Sequence, residues 1–108
     1  MNRIKYFILF LFIVVGVTAK AQNGTVRGSV FDATTGEFLP GVTIYVASTS
    51  QGTITDLDGN FNLSLAPGKY DIKISFISYE PIIKEGIVIK SDEVTLLNNI
   101  GLSEATFE

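Results

Sequence analysis

The chain has 108 residues, eight Lys and Arg against eleven Asp and Glu, a formal net charge of −3, and neither cysteine nor histidine. Without those two residue types there is no disulfide framework, no thiol nucleophile, no imidazole base and little scope for a transition-metal site. The acidic balance argues against nucleic acid, which needs a basic face for its phosphates, and against adhesion to anionic lipid by charge.

The first element in chain order is a targeting segment. Arg3 and Lys5 give a positive start, Tyr6 to Val17 form an apolar run, and Ala19-Lys20-Ala21 has the small-x-small pattern that signal peptidase accepts. Twelve apolar positions fall short of the about 20 helical residues needed to cross a bilayer, so a cleaved signal is preferred over an uncleaved anchor. Cleavage after Ala21 makes Gln22 the new N-terminus, and with no cysteine there no lipid anchor is expected. Residues 1–21 are read as a helical secretory signal peptide and residues 22–108 as one domain, too short for two. That domain keeps Arg27, Lys69, Lys73, Lys84 and Lys90 against all eleven acidic residues.

Beyond the signal the apolar pattern has a period of two, the mark of half-buried strands, and no stretch repeats at helical spacing. Thr25 to Phe31 alternates, with Val26 and Val30 on one face and Arg27 and Ser29 on the other. Thr34-Thr35-Gly36-Glu37 follows as a turn, and Leu39-Pro40-Gly41 leads into the next strand, because proline presets φ and cannot pair within a ladder. Val42, Ile44 and Val46 alternate with Thr43 and Tyr45, and Ser50-Gln51-Gly52 is read as a turn.

Asp56-Leu57-Asp58-Gly59-Asn60 resembles the start of a calcium loop, which needs an acidic bidentate ligand at its twelfth position. With Asp56 first, the twelfth is Pro67; with Asp56 third, it is Leu65, and neither ligates. A hairpin turn is preferred, with the Asp58 and Asn60 side chains bonding local backbone and Gly59 at positive φ. Phe61, Leu63 and Leu65 form the next strand, Ala66-Pro67-Gly68 a turn, and Tyr70, Ile72, Ile74 and Phe76 the strand after it. Tyr79 is either an exposed contact or, preferred here, a corner tyrosine whose hydroxyl bonds nearby backbone. Ile82-Ile83 and Ile87-Val88-Ile89 flank Glu85-Gly86, read as a turn; they are either fully buried strands or an edge that meets a partner. Asp92-Glu93 is a solvated loop, since neighbours on a strand face opposite ways and cannot flank one bond. Val94, Leu96, Ile100 and Leu102 share even spacing, with Asn98 interrupting.

Short strands with one inward face each imply two sheets packed over a shared core. No serine lies in a Gly-x-Ser-x-Gly elbow, and no base partner can be named. Catalytic, cofactor-binding and metal sites are therefore all read as none, and no cofactor is expected.

Three blocks carry a family resemblance: Gly28 to Ile44, Gly52 to Phe61, and Pro67-Gly68-Lys69-Tyr70 with Ile74 to Glu80. In this order they resemble the carboxypeptidase regulatory-like domain from about Gly24 to Leu102, which implies a transthyretin-like β-sandwich of about seven strands with Greek-key-type connections. The zinc peptidase of that family's namesake is a separate domain with His ligands, and none of its chemistry carries over. Placed behind a signal peptide, the domain is similar to the N-terminal extension of Bacteroidetes-type TonB-dependent outer-membrane receptors. There it precedes a TonB-contacting segment, a plug and a β-barrel that imports nutrients such as glycans or siderophores. The resemblance implies a non-catalytic accessory domain, exported to the periplasmic side of the outer membrane. Its partner would be the receptor plug or barrel, or another periplasmic or cell-surface protein, and not nucleic acid. Transport is not expected of 108 residues alone, so the chain is either part of such a receptor or a free-standing module binding glycan or a cell-surface partner.

Overall fold

The computed structural model describes residues 22–106, so the signal segment expected at residues 1–21 lies outside the described residues. Every regular element among those described is a strand: β1 (Gly24–Asp32), β2 (Thr43–Val46), β3 (Gln51–Ile54), β4 (Asn60–Leu65), β5 (Gly68–Ser75), β6 (Ile82–Ile89) and β7 (Val94–Leu102). They form two sheets, ordered β4-β1-β7 and β3-β2-β5-β6, packed as a sandwich. The expected all-β, seven-stranded architecture is met.

Alternation makes the core. Val26 and Val30 of β1, Ile44 and Val46 of β2, Phe61, Leu63 and Leu65 of β4, and Ile72 and Ile74 of β5 all turn inward and are buried. Val42, Ile89, Ile100 and Leu102 complete the cluster. Burying each of these large side chains is worth roughly 1.5–3 kcal/mol, and with no disulfide present this burial carries the fold. β1 is the central strand of its sheet, antiparallel to β4 and parallel to β7. Because β1 and β7 run parallel, the described chain starts at one end of the sandwich and leaves at the other.

The structure corrects the sequence reading in three strands. Gln51 and Gly52, read as a turn, begin β3, an edge strand antiparallel to β2. Glu85-Gly86, also read as a turn, is a β-bulge inside a continuous β6: Tyr70 pairs with Ile87 but Ile72 with Lys84, so β6 holds one extra residue. Gly86 takes the left-handed conformation the bulge requires, at φ 66°, and its N–H donates to Asp71 Oδ1 at 3.0 Å. The two undecided apolar segments thus belong to one edge strand. In β7 the same event occurs at Asn98-Asn99, where Gly28 pairs with Leu97 but Val30 with Ile100. Asn99 sits at φ 62°, a region asparagine tolerates, and the strand changes phase there. Leu97 therefore packs against the core, whereas Val94 and Leu96, grouped by spacing with Ile100 and Leu102, are exposed.

Candidate functional site

At the end of the sandwich where β7 finishes, three connections meet: residues 33–42 after β1, 55–59 before β4, and 76–81 after β5. Asp32, the last inward position of β1, is buried and organises this end. Its Oδ1 accepts the backbone N–H groups of Thr34 at 2.7 Å and Thr35 at 3.0 Å, an Asx-type turn that reverses the chain. Its Oδ2 accepts the Tyr79 hydroxyl at 2.6 Å. Tyr79 stacks on Phe76, with ring centroids 5.7 Å apart, and bridges to Glu104. The segment after β7 is clamped to the same turn: Glu80 N–H donates to Ser103 O and Ala105 N–H to Ser78 O, both at 2.9 Å.

Tyr79 is half-buried, and its hydroxyl goes to a carboxylate 47 positions away, not to neighbouring backbone as preferred from the sequence. The corner-type bond belongs to Tyr70, whose hydroxyl donates to Ala66 O at 2.6 Å. A buried carboxylate near a tyrosine is a long-range pairing that no local pattern announces.

Hydrogen bonding decides the electrostatics of the pair. The Tyr79 hydroxyl, followed by the Thr35 and Thr34 amides, holds the Asp32 carboxyl below its ordinary value, against the opposing effect of burial. The Tyr79 phenol is pushed up to about 12, first by its bond to Asp32, then by burial and the negative charges of Asp32, Glu104 and Glu37. Both groups move away from neutrality, so neither exchanges a proton near pH 7, where a general acid or base must be poised. The pair is a structural latch.

The sign of its pH dependence follows. Asp32 is lowered, so its contribution is present above the unfolded carboxylate value of about 3.9 and is lost as pH falls through the lower folded value. Tyr79 is raised, so its contribution is full below its ordinary 10.0 and is lost as pH rises toward about 12. Ultraviolet titration is expected to show a phenolate forming near 12 that Tyr79→Phe removes. A native protein with no such late phenolate contradicts the latch.

Residues 56–60 form the expected turn with different donors and acceptors. Asp56 Oδ1 accepts the N–H groups of Asp58 and Asn60, each at 2.9 Å, and Gly59 adopts φ 79°. The side chain that binds backbone is Asp56, rather than Asp58 or Asn60. Thr55, which the sequence reading passed over, is buried and joins two of the connections. Its hydroxyl donates to Leu39 O at 2.6 Å and accepts Val42 N–H at 2.9 Å. Thr34 to Glu37 is a connection, as read, with Glu37 N–H donating to the Thr35 hydroxyl at 3.2 Å. Asp92-Glu93 is an exposed turn at the opposite end, with Glu93 N–H donating to Lys90 O at 3.2 Å. Among the described residues, no three His, Cys, Asp or Glu side chains are grouped to hold a metal, and no buried side-chain polar atom lacks a hydrogen-bond partner.

Comparison with known proteins agrees with the resemblance seen in the sequence. The family model described as "CarboxypepD_reg-like domain" matches residues 26–108. The chain is 41% identical over 92 residues to the TonB-dependent receptor SusC of Bacteroides thetaiotaomicron, covering 82% of this chain and 9% of that protein. It is 34% identical over 73 residues to the TonB-dependent receptor P3 of Formosa agariphila, covering 67% of this chain and 7% of the receptor. It thus spans less than a tenth of the length of these relatives. Among solved structures, a type II cohesin–X–dockerin complex from Acetivibrio cellulolyticus superposes with a TM-score of 0.62 at 22% identity, over 75% of this chain and 58% of the other, a likeness of fold alone.

Proposed function

From the premise that this chain belongs to the CarboxypepD_reg-like domain family, we propose that it is a non-catalytic accessory module of a TonB-dependent outer-membrane receptor. It acts by docking or positioning on the periplasmic side, and residues 1–21 are its export signal. One observation carries the reading: most of this chain matches a small fraction of a large receptor, 82% against 9%. A module of that proportion serves a machine built elsewhere in the polypeptide.

The geometry supports positioning. The clamp of Ser103 and Ala105 onto the turn at Ser78 to Glu80 fixes the direction in which the backbone leaves the sandwich. A following segment attached there departs from a defined point, which raises its effective concentration at a nearby target relative to a free tether. The test is an in-frame deletion of residues 22–106 from a receptor that carries this chain. The expected result is a receptor inserted in the outer membrane at its usual level with nutrient uptake reduced severalfold. Uptake unchanged at equal receptor level would refute the role. A receptor that no longer assembles would also refute it, because the module would then serve folding.

A further inference from the structure

Sheet edges are the usual place for one β-protein to capture another, and here three of the four are blunted. β3 has only four residues, while β6 and β7 are each kinked by a bulge. Lys84 of β6 pairs with the fully buried Ile72 and so lies on the core-facing side of an edge strand, a charge that resists strand addition. Thr95 Oγ1 of β7 donates to Val88 O of β6 at 3.0 Å, using up an edge carbonyl. Docking through added strands is therefore disfavoured at β3, β6 and β7; β4, the remaining edge, has six residues and no bulge.

The end where the chain leaves has a different chemistry. Large apolar side chains stand on all three of its connections: Phe38 is 57% exposed, Leu57 90% and Ile77 82%. Single exposed apolar residues need no explanation, but these three share one end of the molecule with Glu37, Asp56, Asp58, Glu80 and Glu104, all exposed. None of the five basic residues of the described chain stands on these three connections: Arg27 is on β1, where it lines one depression with Asp56, Lys69 and Lys73 are on β5, Lys84 is on β6, and Lys90 is at the opposite end. The connections at this end thus carry apolar tips among acidic side chains only. Its loops are also held in place, by Asp32 to Tyr79, by Asp56 to its own turn, and by Thr55 to Leu39 and Val42. A preorganised surface loses little conformational freedom on binding.

We propose that this loop end is a docking face whose partner is a basic polypeptide surface with an apolar groove that receives Leu57 and Ile77. Charge complementarity sets the partner's sign, and the exposed tips supply buried area at the centre of the contact. The inference deepens the accessory-module reading by naming its surface, and it is tested on the isolated chain, without the receptor.

The probe is a synthetic two-heptad amphipathic helix with lysine on its polar face and leucine on its apolar face, titrated into the isotope-labelled, signal-processed chain and followed by amide chemical shifts. Expected are shifts confined to residues 37–40, 56–59 and 76–80, weakening with salt, and absent when glutamate replaces lysine in the probe. Leu57→Ser with Ile77→Ser is expected to weaken binding about tenfold with unchanged thermal unfolding, because both side chains are already in water. Val94→Ser with Leu96→Ser, on the exposed face of β7, is expected to leave binding unchanged. Shifts on the sheet faces, equal binding of the acidic probe, or no binding would each overturn the proposal. Probe binding at this end with uptake unchanged by the deletion would support the face and refute the accessory-module role, whereas no probe binding with uptake reduced would overturn the face and leave that role standing.

Discussion

Gly59→Val is expected to destabilise the domain by roughly 3 kcal/mol or more, a large share of the 5–15 kcal/mol that typically holds a domain together. Two causes add. Gly59 sits at φ 79°, where a β-branched residue is strained by about 1–3 kcal/mol. A Cβ there would also lie 2.8 Å from Phe38 Cβ, 2.9 Å from Val30 O and 3.1 Å from Leu39 N. The last two atoms are themselves joined by a hydrogen bond of 2.9 Å, so the new methyl would wedge onto a bond that seats the β1–β2 connection. Overpacking of this kind costs about another 1–3 kcal/mol.

Gly59→Asn separates the two causes. Asparagine tolerates the left-handed region, so it relieves the torsion but keeps the Cβ contacts, and it is expected to remain about 1 kcal/mol or more below the parent. Urea denaturation of the three proteins decides the matter. A valine variant with an unchanged midpoint contradicts the turn itself, and full recovery with asparagine contradicts the contact argument.

What the sequence made legible follows from where period two is undisturbed. In β1, β2, β4 and β5 one face is core and the other water, so alternation in the residues maps directly onto burial. β3 escapes because it is a short edge strand in which only Thr53 is even half-buried, so it carries no apolar rhythm to detect. β6 and β7 mislead for a single reason. A bulge adds one residue, and every side chain beyond it moves to the other face, so Val94 and Leu96 share spacing with Ile100 and Leu102 but not their environment. The Asn98-Asn99 dipeptide was the available signal, since asparagine accepts the conformation a bulge demands.

The loop end was legible in its turns and illegible in its couplings. Asp32 followed by Thr34 and Thr35 is a local pattern, and so is the turn closed by Asp56. The partner of Asp32 across the fold, and the joining of Thr55 to Leu39 and Val42, are products of tertiary packing. The family resemblance supplied the sandwich and its approximate number of strands before any contact was visible, but neither of these couplings.

Thr55→Val puts the largest of those illegible couplings to the test. Valine has nearly the same shape as threonine, so the core loses no volume, but both hydrogen bonds of the hydroxyl go. Val42 N–H is then left buried, and Leu39 O part-buried, without those partners. An unsatisfied buried group costs about 1–3 kcal/mol, so the pair is expected to cost roughly 2–4 kcal/mol. Thr55→Ser keeps the hydroxyl and removes one methyl, for about 0.8 kcal/mol. The smaller side chain should therefore be the more stable variant, the reverse of what packing alone dictates. Because Thr55 ties the connection bearing Phe38 to the turn bearing Leu57, valine should also speed amide exchange at Val42 and Gly41 ahead of global unfolding. A serine variant less stable than the valine variant would show that the methyl, not the hydroxyl, holds this end of the sandwich together, and the rigidity ascribed to its loops would lose its main support.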